Sequence, residues 1–222
     1  MHSRVQPDEP TRSAAAQVSW PVRSGAVPPL ADGFSARSET VPNLKAALGP
    51  GATVVLVSGP AQSGGIWGKG PSWPTGKTQL AVAAAEELLR SGGIELLVWI
   101  TATSRVSMLA GYVEASVAAL GVPPAGDSEL LAMRFVRWLG ETSRRWLVVL
   151  DDLADAVHLQ ALWPESPVGT VLVTTADVAA VPGSQHTVIP VDGFSTREAL
   201  NYLMGRLTTD PDQRLGGIDL IE

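Results

Sequence analysis

The chain has 222 residues, 45% of them apolar, with a formal net charge of −6. That length and composition suit one sizeable hydrophobic core and exclude a wholly disordered chain. The acidic balance argues against general binding to nucleic acid or anionic membrane, and the lack of cysteine excludes disulfides, thiolate nucleophiles and cysteine-ligated metal centres.

Residues 1–29 are rich in Ser, Pro, Ala and Arg without periodicity, and are expected to be a flexible tail in which Trp20 is an exposed aromatic. A globular domain is expected over 30–210. Val41 to Leu48 reads as a short helix closed by Gly49-Pro50-Gly51. Thr53 to Ser58 is a β-branched run with no polar alternation, the signature of a strand buried on both faces. A long loop from Gly59 to Thr75 follows, with too many glycines and prolines for a regular element. Lys77 to Arg90 is a strong helix, ended by Ser91-Gly92-Gly93.

Ile94 to Thr101 is a second buried strand, and Ser104 to Leu120 a helix closed by Gly121. Asp127 caps a helix running to about Gly140. Arg145 to Leu150 is a third strand, ending in Asp151-Asp152, and Ala154 to Leu162 a short helix. Thr170 to Thr174 is a fourth strand. Thr187 to Val191 is a fifth, placed at an edge by Pro190. Ser195 and Glu198 form a capping box opening a last helix to about Leu207. Strands alternating with helices imply an open, mostly parallel α/β sheet covered on both faces. No segment reaches the ~20 apolar residues of a membrane span, and the N-terminus lacks the apolar core of a signal peptide, so a cytoplasmic location is expected.

The sharpest chemical feature is Thr75-Gly76-Lys77-Thr78, at the start of a helix that follows a buried strand and a glycine-rich loop. A helix N-terminus offers unpaired N–H groups and positive dipole to an anion. Glycine lets backbone approach phosphate closely, Lys77 can bridge β- and γ-phosphates, and the Thr78 hydroxyl can hold Mg²⁺. The pattern departs from G-x-x-x-x-G-K-[ST]. Residue 71 is proline where the first glycine belongs, and Gly59 lies 76 − 59 = 17 residues before Gly76 rather than five. Pro74 lacks the N–H that such a loop aims at the β–γ bridge, and Trp73 stands where a small residue usually lines the γ-phosphate.

Trp146-Leu147-Val148-Val149-Leu150 leads into Asp151 and Asp152 at the carboxyl end of a strand, the edge where open α/β sheets bind ligands. Asp151 suits the metal side, and Asp152 the polarisation of an attacking water. The alternative is that Asp152 merely caps the short helix after it. Thr174 and Thr175 end another strand at the same edge. A hydroxyl there can sense a γ-phosphate or serve only as an ordinary strand end.

In this order, the phosphate loop, V-W-I-T, L-V-V-L-D-D, V-L-V-T-T and F-S-T-R-E-A-L resemble the nucleotide-binding domain of STAND ATPases. The nearest group is the NB-ARC-like domains of actinobacterial regulators carrying tetratricopeptide repeats. Residues 28–37 are similar to the family's leading F-x-x-R segment, here Phe34 and Arg37, which lies against the adenine. The resemblance implies an ASCE-type P-loop NTPase, a three-layer α/β/α domain. Its five-stranded sheet has the strand ending at Thr174 between the Walker A and Walker B strands. It implies ATP or ADP with Mg²⁺, slow hydrolysis, and a nucleotide-governed switch in oligomeric state that works on other domains or protein partners. Thr75 to Thr78 fall at Walker A, Asp151 and Asp152 at Walker B, and Thr174 and Thr175 at sensor 1. Ala176 replaces the sensor arginine. Residues 211–222 are expected to be a tail that starts a helical lid. The competing reading, motivated by Pro71, Trp73, Pro74 and Ala176, is a degenerate pseudo-ATPase serving as an interaction scaffold.

Overall fold

A computed structural model describes residues 18–31, 34, 37, 40–58, 75–121 and 126–209. The expectations for 1–17, for the loop over 59–74 and for 211–222 lie outside these residues. Strands β1 (Val22–Ser24), β2 (Thr53–Ser58), β3 (Leu96–Thr101), β4 (Trp146–Leu153), β5 (Thr170–Thr175) and β6 (Thr187–Val191) form one sheet in the order β1-β3-β4-β5-β2-β6. Every pairing is parallel. Helices are α1 (Thr40–Ala47), α2 (Lys77–Arg90), α3 (Arg105–Leu120), α4 (Ser128–Glu141) and α5 (Thr196–Thr209).

The period-two direction of strand side chains splits each apolar run between two cores. Val98, Ile100, Val148 and Leu150 pack with Met108, Tyr112, Phe135 and Leu139 of α3 and α4. Leu97, Trp99, Leu147 and Val149 point the other way, against Leu44 of α1 and Leu80, Ala81 and Ala85 of α2. Helices on both sides explain why β2, β3, β4 and β5 do not alternate apolar with polar. β6 is an edge strand, as Pro190 requires, and β5 lies between β2 and β4.

The sheet has six strands rather than five. The extra one, β1, lies inside the stretch expected to be tail. Its three residues are too few and too polar to announce a strand, and they are held by pairing instead. Val22 N–H donates to Glu95 O at 2.8 Å and the register runs Val22 to Leu96, Arg23 to Leu97 and Ser24 to Val98. Trp20 is not a free aromatic. It is half-buried against the α3/α4 core, and the Arg144 guanidinium lies 4.0 Å from its ring centroid. The short helix after β4 is also smaller than expected, a single 3-10 turn at Ala156–Leu159.

α2 takes the bounds that its composition predicts. Its sequence is dominated by strong helix formers. It ends where Gly92 adopts φ 70°, with Gly93 N–H returning to Leu88 O at 2.8 Å.

Candidate functional site

Because all strands are parallel, β2, β4 and β5 deliver their carboxyl ends to one edge, where α2 begins. Gly76 is the N-cap of α2 at φ 83°, ψ 16°, and supplies no side-chain cap. α3, α4 and α5 instead have their first amides engaged by Ser104, Asp127 and Ser195. At the start of α2, by contrast, the N-cap residue has no side chain to engage the first N–H groups. Among the described residues a Cβ on Gly76 meets only Arg37 Nη2, at 3.7 Å, while its positive φ calls for glycine on conformational grounds. Gly76→Ala is expected to cost about 1–2 kcal/mol in urea unfolding, with Gly76→Asn costing less. A neutral Gly76→Ala change would show that this turn relaxes freely.

Three expected residues from three separate elements meet directly. Thr78 Oγ1 donates to Asp151 Oδ1 at 2.9 Å, and Thr174 Oγ1 donates to the same oxygen at 2.6 Å. Thr174 is itself fixed by Asp152 N–H, which donates to its hydroxyl at 2.8 Å. Lys77 lies beside them, its ammonium donating to Ser58 Oγ at the end of β2. Burial lowers the Lys77 pKa, opposed by the nearby charges of Asp152 and Asp151.

The two acids are not equivalent. Asp151 is 8% exposed, whereas Asp152 is exposed and sits at φ 58° in the left-handed region. The register explains this: Leu150 pairs with Val173 but Leu153 with Thr175, so β4 carries one residue more than β5. The resulting bulge lies at Asp151-Asp152 and turns the second carboxylate out of the sheet. Aspartate is among the few non-glycine residues that tolerate this backbone. Asp152 does not cap the following turn, because Asp155 does, accepting from Val157 N–H at 2.9 Å.

Thr174 and Thr175 also differ. The Thr175 hydroxyl donates to Leu153 O at 2.8 Å and accepts from Asp177 N–H at 3.1 Å, which ties β5 to β4 and to the next turn. Of these two threonines, Thr174 is the one joined to Asp151. Ala176 is exposed just beyond. The Thr75 hydroxyl is buried and has no hydrogen-bond partner among the described residues.

Phe34 and Arg37 are not part of this cluster. Phe34 packs against the α1/α2 core. Arg37 is 7% exposed, and its guanidinium donates to Thr75 O at 2.5 Å and to Asp192 O. Burial lowers its pKa from a very basic starting value, and Glu198 and Asp192 oppose the shift. Gln79 on α2 accepts from Ala31 N–H at 2.6 Å and donates to Pro29 O at 3.2 Å, so the segment before α1 runs along the start of α2. Ser58 and the Asp152 bulge had no sequence signal, since a strand-end serine and a two-acid strand end are both common.

Hard oxygen donors from Thr78 and Asp151 fit Mg²⁺, which is usually held by one or two carboxylates together with phosphate oxygens. Among the described residues no group of three His, Asp or Glu side chains could hold a metal ion by itself. None of the described helices is long and apolar enough to cross a membrane.

No protein-family profile matches the sequence, and no curated protein does. Solved structures match in shape. Cdc6p from Pyrobaculum aerophilum superposes with a TM-score of 0.54 at 16% identity, over 83% of this chain and 52% of its own. The ADP form of the Aeropyrum pernix ORC2 protein gives 0.54 at 16% identity, over 83% and 54%. A Pyrococcus horikoshii STAND protein with a tetratricopeptide repeat sensor gives 0.46 at 16% identity, over 88% and 28%. The first two likenesses show the fold alone, an α/β domain built on a parallel sheet, and this chain spans about half the length of those proteins.

Proposed function

We propose that the chain is an ATP/ADP-binding switch module of a STAND-type regulatory ATPase, with slow Mg²⁺-dependent hydrolysis. The observation that carries this reading is the convergence of the Thr78 and Thr174 hydroxyls on one Asp151 carboxylate oxygen, beside Lys77 at a helix start whose N-cap is a glycine. Lys77 and Thr78 at the start of α2, Asp151 in β4 and Thr174 in β5 are thus gathered from three elements, an arrangement that supports a site for phosphate and Mg²⁺.

Each residue then has a task. Lys77 leaves Ser58 to bridge β- and γ-phosphates, and the α2 amides after Gly76 hold phosphate oxygens. Thr78 and Asp151 hold Mg²⁺, which supplies charge neutralisation on the phosphates when bound. Asp152, turned outward by the bulge, polarises water, and Thr174 reports the state of Asp151 to β5. Without an arginine at Ala176, ATP gains little over ADP, and turnover stays below about one per second. Other domains of the same protein, or protein partners, read the nucleotide state through a change in association. The site acts in the cytoplasm and uses no direct contact with nucleic acid.

The decisive experiment is calorimetric binding of ATP and ADP, with and without Mg²⁺, to the wild type and to Lys77→Ala. A hydrogen bond to a charged group contributes about 1.5–3 kcal/mol. Lys77→Ala is therefore expected to weaken binding roughly 10- to 150-fold. The unfolding midpoint should barely move, since a partly exposed lysine contributes little to stability. Equal affinities for mutant and wild type would remove the phosphate-loop assignment. No binding by either would favour the scaffold reading.

A further inference from the structure

Arg37 belongs to neither core. It reaches two carbonyls far apart in sequence: Thr75 O, one residue before the α2 N-cap, and Asp192 O, just after β6. Its guanidinium also lies 4.9 Å from the centroid of the Phe194 ring, and that ring stacks on Tyr202 of α5 at 5.6 Å and 22°. The α5 N-terminus is closed beside it, where Ser195 N–H and Oγ both donate to Glu198 Oε2, at 2.9 and 2.8 Å. Ser195 holds the Glu198 carboxyl below its usual pKa, and Arg37 adds to that shift. A continuous set of contacts thus runs from Thr75 through Arg37 and Phe194 to Tyr202.

We propose that Arg37 is a positioning residue, a clasp that couples the turn entering α2 to helix α5, so that an anion held at the α2 N-terminus changes the stability of α5. The inference rests on the nucleotide reading of the site. The physical reason is shared backbone. The peptide whose carbonyl Arg37 holds connects directly to Gly76, and an anion on the α2 amides needs that same turn fixed. Whichever of clasp and ligand forms first pre-orders the turn for the other, and by linkage the benefit is reciprocal. Arginine is needed because a planar fork can serve two carbonyls and a ring face together, which a lysine point charge cannot. Arg37 needs no contact with nucleotide for this role. α5 turns Leu200 and Leu203 outward, at 55% and 53% exposure, so a change in its stability alters an apolar part of the surface.

The test is hydrogen exchange read by mass spectrometry on the full chain, wild type and Arg37→Gln, with and without saturating MgADP. In the wild type, MgADP is expected to slow exchange over 192–204 about fivefold or more, the lower end of ordinary coupling. In Arg37→Gln that response should vanish at nucleotide saturation, and Arg37→Lys should recover only part of it. Without nucleotide, Arg37→Gln should quicken exchange at both 75–80 and 192–200. Phe194→Leu, on the far side of the clasp, should weaken MgADP binding in the wild type and have no further effect in Arg37→Gln. MgADP binding that leaves 192–204 unchanged overturns the coupling. If the wild type binds no MgADP, the nucleotide reading fails and the nucleotide-free comparison decides the clasp. Quickening at both segments then supports it, and quickening at one alone overturns it.

Discussion

Trp146→Ala is expected to lower the unfolding free energy by about 3–5 kcal/mol, the range for deleting a large aromatic from a packed core. Trp146 opens β4, is 1% exposed, and packs in the core shared with α3 and α4. Its ring occupies the space that a side chain on Gly169 would need, since a Cβ there would come within 2.0 Å of Trp146 Cζ2. The indole N–H donates to Leu139 O at 2.9 Å, one of the carbonyls in the last turn of α4. Alanine therefore opens a cavity and strips a buried carbonyl of its donor at once. Trp146→Phe separates the two effects, because it keeps most of the volume and loses the donor. Its expected cost is about 1–2 kcal/mol. Urea unfolding with the slope held as a check measures both. A loss below about 1.5 kcal/mol for alanine would show that α4 and Gly169 close over the gap.

The elements that could be read from sequence are those whose burial fixes their composition. β2, β3, β4 and β5 are apolar on both faces because helices cover both, and such runs admit few other readings. α2 and α3 were legible from their formers and stops. β1 was not, because Val22-Arg23-Ser24 is a strand only by virtue of β3 beside it and Trp20 stacked on Arg144. At the site, Lys77, Thr78 and Asp151 are set by motif and strand position, and parallel register alone brings them together. What stayed hidden depends on geometry that no spacing encodes. The bulge at Asp151-Asp152 needs the register of β5, the partner of Lys77 needs the end of β2, and Arg37 needs the turn after β6. Arg37, expected near an adenine, donates to two backbone carbonyls, a pairing that only the folded chain defines.

Asp152→Asn is expected to lower the rate of ATP hydrolysis by about 10²- to 10⁴-fold, the usual contribution of a group that takes or directs a proton in the transition state. MgATP affinity should stay within about threefold, because the loss is confined to the transition state. The backbone supports this separation. Asparagine tolerates the left-handed φ of 58° as readily as aspartate, so the bulge persists and Asp152 N–H still reaches Thr174. Asp151→Asn should behave oppositely. Asp151 is the buried acceptor for both Thr78 and Thr174, and under the proposed function its carboxylate is the one that would hold Mg²⁺. That variant should lose the Mg²⁺ dependence of binding before it loses anything specific to turnover. Single-turnover hydrolysis measured beside equilibrium binding for the two variants distinguishes the roles. If Asp152→Asn abolishes binding while Asp151→Asn spares it, the two acids have exchanged tasks, and the outward bulge serves the metal rather than the water.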